Sequence, residues 1–139
     1  MKGIYCLIVE VRKEVRAKIG ARGELRFQKG FYAYLGSAQN NLGKRVARHF
    51  ARDKTVRWHI DYLLAADGVR PVRVYAREAP REEECRLAEA FVRNRIPVPG
   101  FGCSDCKCVS HLFRLNSPYP SQTAGMRELD ILELKKLRS

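Results

Sequence analysis

Every residue from Ile4 to Val9 is apolar or aromatic: Ile4-Tyr5-Cys6-Leu7-Ile8-Val9. Successive side chains of a strand point to opposite faces. Ile4, Cys6 and Ile8 would serve one face, and Tyr5, Leu7 and Val9 the other. A strand apolar on both faces must be covered on both. This segment therefore calls for a sheet with packing on each side, and the rest of the chain must supply it.

Further strands follow. Val15-Arg16-Ala17-Lys18-Ile19 alternates, Gly20-Ala21-Arg22-Gly23 makes a turn, and Glu24-Leu25-Arg26-Phe27 alternates again, which is a hairpin signal. Phe31-Tyr32-Ala33-Tyr34-Leu35 reads as another strand, Pro71 to Ala76 as the next, and His111 to Leu115 as the last. From Asn40 the period changes. Leu42, Val46 and Phe50 fall on one helical stripe, with Asn40 or Asn41 as cap and Arg45, Arg48, His49 and Arg52 off the stripe. A second helix is expected over about 57–66. A third is expected from Pro80, with Glu82, Glu83 and Glu84 in its first turn and Pro97 and Pro99 ending it. Its buried stripe would run through Cys85, Ala88, Phe91 or Val92, and Arg95 or Ile96. The predicted fold class is α+β: one compact domain over residues 1–115, with a small central mixed or antiparallel sheet, an inserted hairpin and flanking helices. Residues 116–139 are predicted to form a C-terminal linker and a short peripheral helix.

The 139 residues suit one domain, and 45% hydrophobic with 30% charged residues suits a globular chain. No apolar run approaches the roughly 20 residues of a membrane helix. The N-terminal apolar stretch is strand-like and too short for a secretory leader, so a cytoplasmic, unprocessed protein is expected. The net charge of +12 attracts polyanions, of which nucleic acid is the commonest.

Two tyrosines on strands, Tyr5 and Tyr34, precede Arg45 and His49, which are one helical turn apart. Tyr can handle a proton, and Arg and His can hold an anionic phosphate. The bland alternative is two core tyrosines and a solvated helix face. The five cysteines are odd in number and do not form a secreted disulfide framework. Cys103, Cys106, Cys108 and His111 follow a C-x2-C-x-C-x2-H pattern. Zinc is one reading of it. Buried thiols, or an oxidising pair, are another. His59 and Asp61 point to different sides of a helix and read as packing, with His59 reaching substrate as the alternative.

The runs Gly3-Ile4-Tyr5, Tyr34-Leu35-Gly36-Ser37-Ala38, Lys44-Arg45 and Arg48-His49-Phe50 resemble the GIY-YIG nuclease superfamily. Trp58 to Leu64, Glu82 to Cys85 and Gly100 to Phe113 are similar to an uncharacterised prokaryotic branch with WHIDYLL and GFGxSDCxCxSHLF motifs. Because the cysteine loop belongs to that signature, the resemblance adds a third reading of it, in which Ser104, Asp105, Ser110 and His111 contribute to a substrate groove. Some relatives join this module to an endonuclease III-like glycosylase domain, which suggests a DNA-repair protein partner. The resemblance implies a metal-dependent endonuclease cutting DNA by a one-metal mechanism. It implies Tyr5, Tyr34, Arg45, His49 and Glu84 as catalytic, with Glu84 holding Mg²⁺ or Mn²⁺. Glu82 and Glu83 are fallbacks for the metal. Lys44, Arg48, Arg52 and Ser37 would contact nucleic acid. Two further readings stand beside it: a non-catalytic nucleic-acid-binding module on the same fold, and a zinc-stabilised adaptor.

Overall fold

The apolar N-terminal segment forms β1, Gly3–Val11, inside a six-stranded sheet. The computed structural model describes residues 2–51, 55–103 and 106–136. β1 pairs antiparallel with β4 (Gly30–Ala38) on one side and β5 (Val69–Glu78) on the other. β7 (Leu112–Leu115) continues from β4, and β6 (Ile96–Pro97) from β7. β8 (Arg127–Glu128) closes the other side against β5. The order is β6-β7-β4-β1-β5-β8, and every pairing is antiparallel. The fold is α+β with a mainly antiparallel sheet, as expected.

The expected hairpin is β2 (Val15–Lys18) and β3 (Glu24–Phe27), which pair only with each other. Their alternation buries Ala17 and Phe27 against the main sheet, and Ile19, just past β2, joins them.

The two faces of β1 divide as its sequence requires. Tyr5, Leu7 and Val9 join Tyr34, Leu42, Val46, Ile60 and Leu63 in the larger core. Cys6 and Ile8 join Leu35, Phe91 and Phe113 in the smaller one. The first face is covered by α1 (Leu42–His49) and α2 (His59–Leu64), the second by α3 (Glu82–Asn94). Asn41 caps α1, its side chain accepting from the Lys44 amide at 3.1 Å.

Some details differ from the sequence reading. His49 was placed off the α1 stripe, yet it is only 1% exposed. It lies seven positions after Leu42, two turns on, and so returns to the buried face. Val92 is exposed while Phe91 carries the α3 contact. Among the described residues of the C-terminal segment the α-helix is α4 (Ile131–Lys136). The residues before it pair with the open edge of β5 and become β8. Leu134 of α4 is buried in the larger core.

Candidate functional site

The register of β1 on β4 sets Tyr5 opposite Gly36 and Leu7 opposite Tyr34. Tyr5 and Tyr34 therefore share a face, with ring centroids 6.4 Å apart. A Cβ on Gly36 would run into the Tyr5 ring, so the glycine makes room for the tyrosine across the ladder. Gly3 is needed for a like reason, since a Cβ there would meet the Arg77 carbonyl on β5.

The last turn of α1 brings His49 onto both tyrosines. Its Nε2 lies 2.7 Å from the Tyr5 hydroxyl, and its ring centroid is 6.0 Å from that of Tyr34. One turn earlier, the Arg45 guanidinium lies 3.8 Å from the centroid of the Trp58 ring. The Arg45 Nε is buried and has no hydrogen-bond partner among the described residues. Burial pushes the Tyr5 hydroxyl up to about 12, with Arg45 opposing the rise. Burial, then Tyr5 and Glu84, hold Tyr34 well above the ordinary tyrosine value. Both are neutral phenols at neutral pH.

A cleft of about 410 Å³ opens beside this group. Tyr34, Ser37, Arg45, Arg57, Arg81 and Glu84 line it, with Trp58, His59 and Gly102. Tyr5 lies behind the wall, with no exposure. The cleft thus gathers residues from β4, α1, the start of α2 and the start of α3. Glu84 is the single carboxylate among the lining residues. Glu83 pairs instead with Arg86 at 3.5 Å, and Glu82 is exposed and outside the lining. One carboxylate facing a polar cleft suits a hard divalent cation whose remaining ligands are waters and phosphate oxygens. A larger cavity of about 950 Å³ reaches His49 and Asp61 from another side. There, Asp61 is bonded to Arg48 and His49 to Tyr5.

The other expected contact residues are spread out. Ser37 is in the cleft lining. Lys44 is exposed and outside it. Arg48 grips Asp61 with two nitrogens, at 2.9 and 3.0 Å, and bonds the Thr55 carbonyl at 2.5 Å. Asp61 also accepts from the Arg57 and Trp58 amides. Burial raises the Asp61 carboxyl, but these donors outweigh it and hold the group below the usual carboxylate range. Arg52 lies outside the described residues, as do Ser104 and Asp105. Arg57 and Arg81 were not singled out from the sequence. Arg57 lies two residues ahead of α2 and Arg81 directly ahead of α3, positions that carry no motif of their own.

A family described as "Domain of unknown function DUF123" matches residues 4–130. The chain belongs to that family. The DUF123 match takes in Tyr5, Tyr34, α1, Glu84 and the cysteine loop, and it runs on through β8. No curated protein and no solved structure matches the chain. No described helix of this DUF123 domain is long and apolar enough to cross a membrane.

A second cluster adjoins the cleft from the far side of Glu84. The sequence pattern grouped Cys103, Cys106, Cys108 and His111. Among the described residues, the set whose ligand atoms all lie within 4.8 Å is Cys85, Cys106, Cys108 and His111. Cys85 on α3 enters because the loop folds onto that helix, and the Cys85 and Cys108 sulfurs are 3.1 Å apart. The Cys103 thiol instead faces the Phe101 carbonyl at 3.5 Å. Burial and the neighbouring thiols push Cys103 up to about 12, and Cys108 rises too. These four residues could bind a metal ion. Ser110, by contrast, is buried and bonded to Leu112.

Proposed function

We propose that the chain is a metal-dependent endonuclease of the GIY-YIG type, hydrolysing DNA phosphodiester bonds in the 410 Å³ cleft. The observation that carries this reading is the buried Arg45 Nε, which has no hydrogen-bond partner among the described residues, in a cleft that also holds Glu84, Arg57 and Arg81. A buried charged donor left unpaired is costly. Arg45 also lines the cleft, where a phosphate oxygen would take a charge-assisted bond from its guanidinium.

The roles follow from position. Trp58 supports the Arg45 guanidinium, and Arg45 neutralises charge that grows on the phosphate. Arg57 and Arg81 hold the flanking backbone, which positions a duplex without reading its sequence. Tyr34 is the tyrosine that faces the cleft, and it orients the attacking water. A phenol held well above its ordinary value is not a base at neutral pH. The attacking water gives its proton to solvent in the open cleft, and His49 acts by holding Tyr5, with its Nε2 2.7 Å from that hydroxyl. Glu84 would hold Mg²⁺ or Mn²⁺, which supplies charge stabilisation at the leaving oxygen. Substrate choice then rests on DNA structure or on a DNA-repair protein partner, since the described residues include no separate sequence-reading element.

Supercoiled plasmid incubated with Mg²⁺ or Mn²⁺ tests the proposal. Nicking should fall by roughly 100-fold or more in Arg45→Ala and in Glu84→Gln, with circular dichroism unchanged. Full nicking by either variant would overturn its assignment. Plasmid retained at low salt but never cut would leave the binding-module reading.

A further inference from the structure

Two separate parts of the chain meet at the second cluster. Cys85 comes from the first turns of α3, and Cys106, Cys108 and His111 from the segment leading into β7. We propose that Cys85, Cys106, Cys108 and His111 form a zinc site, and that its histidine holds Glu84 toward the cleft. The second half of the proposal rests on the endonuclease reading; the zinc site does not.

The histidine provides the main argument. His111 is 4% exposed, and its Nδ1 lies 2.6 Å from the Glu84 Oε2. An Nδ1–H donated to that carboxylate fixes the tautomer and leaves a lone pair on Nε2. Nε2 is the nitrogen that lies 3.5 Å from the Cys106 sulfur, inside the cluster. A metal-bound histidine usually gives its other N–H to a carboxylate in this way. The chain thus shows a carboxylate, a histidine and a group of thiols in the order that a bound zinc requires.

The spacing agrees. Ligands 2.0–2.3 Å from a tetrahedral zinc lie about 3.5–3.8 Å from one another. The pair at 3.5 Å already meets this, and the four atoms need only small side-chain rotations. The Cys85 and Cys108 sulfurs, 3.1 Å apart, are too far apart for a disulfide, whose bond is about 2.05 Å. Three thiolates and an imidazole select zinc over the oxygen-seeking Mg²⁺. Each thiol that binds gives its proton to solvent, so loading releases protons.

The site would also explain how a single carboxylate can serve the cleft. His111 bonds one oxygen of Glu84, and a carboxylate has two. Glu84 lines the cleft as well. Zinc anchors the imidazole, the imidazole anchors the carboxylate, and the carboxylate meets the cleft. Glu84 is thus placed as the binding group of one metal and the outer support of another. His111 is a positioning residue.

The first test is the metal content of protein purified without added metal. About one zinc per chain is expected. Cobalt exchanged for it should show thiolate charge-transfer and tetrahedral d–d absorption bands. Cys106→Ser and Cys108→Ser should lose both signals, and Cys103→Ser should keep them. Wild-type protein that neither carries zinc nor gives the cobalt bands would overturn the site, whether or not any variant folds. Loss in Cys103→Ser would overturn the ligand set. The second test is Mn²⁺ binding followed by electron paramagnetic resonance, before and after zinc is removed. A drop of about tenfold in affinity is expected. An unchanged affinity in the zinc-free protein would overturn the link through His111. Zinc-loaded protein that never nicks plasmid would count against the endonuclease reading alone and leave the zinc result standing.

Discussion

Gly36 has no side chain because the Tyr5 ring occupies that space. Gly36→Ala should therefore cost about 1–3 kcal/mol and push Tyr5 away from His49. Thermal unfolding would read the first effect, and an undiminished melting temperature would contradict it. The buried phenols have their own signature. Tyr5 binds its proton more tightly in the folded state, at about 12 against an ordinary 10.0. Its contribution is complete below the unfolded value and is lost as pH rises through the folded one. Stability should fall between about pH 10 and 12, and fall less steeply in Tyr5→Phe. Denaturant titrations across that range would show it. At this scale the sequence was informative where residue type and periodicity agreed. Tyr5, Tyr34 and Arg45 were singled out by their runs together with the family resemblance, and the fold sets the two tyrosine rings side by side with Arg45 and Tyr34 in one cleft lining. Cys85 could not be grouped with Cys106, because only the docking of a loop on α3 brings them together. Arg57 and Arg81 were hidden for a similar reason: one arginine in a basic chain looks like another until a cleft forms around it.

Two helices are joined at a single carboxylate. Asp61, fully buried in α2, receives Arg48 from α1 and the amides of Arg57 and Trp58 ahead of its own helix. Trp58 in turn carries Arg45 and Arg48 against its ring. Removing one partner of such a buried pair strands the other charge. Asp61→Ala should destabilise the protein by about 3–5 kcal/mol in urea titrations and also release Trp58, shifting its fluorescence. A change within about 0.5 kcal/mol would show that the tie carries no weight. The elements themselves were largely readable. The doubly apolar β1, the alternating hairpin and the acidic start of α3 each announced their type. Position was harder than type. Whether Asp61 packs or reacts depends on α1 lying beside α2, and no local pattern encodes that. The final segment was expected as a linker and a short helix; the two residues of β8 at the start of that helical stretch pair with β5 instead, along an edge left open there.

A net charge of +12 is a property of the whole molecule. If the cleft receives DNA, binding must release counterions, and affinity should fall by roughly tenfold or more between about 50 and 200 mM salt. Fluorescence anisotropy with a labelled duplex would measure this. A salt-independent affinity would argue against backbone recognition. The sheet has a further consequence, for association between copies. Its outermost strands, β6 and β8, are two residues long, so an incoming strand finds little ladder to extend. The stretch of β5 that β8 leaves uncovered carries Pro71, which has no amide to donate, and two arginines, Arg70 and Arg73. The pairing of that stretch with β1 also shifts register. Proline, charge and irregular pairing are each known to discourage edge-to-edge growth. A sheet this apolar at its centre would be dangerous with open margins; here the margins are blunted, and copies crowded together find no ladder through which their sheets could join.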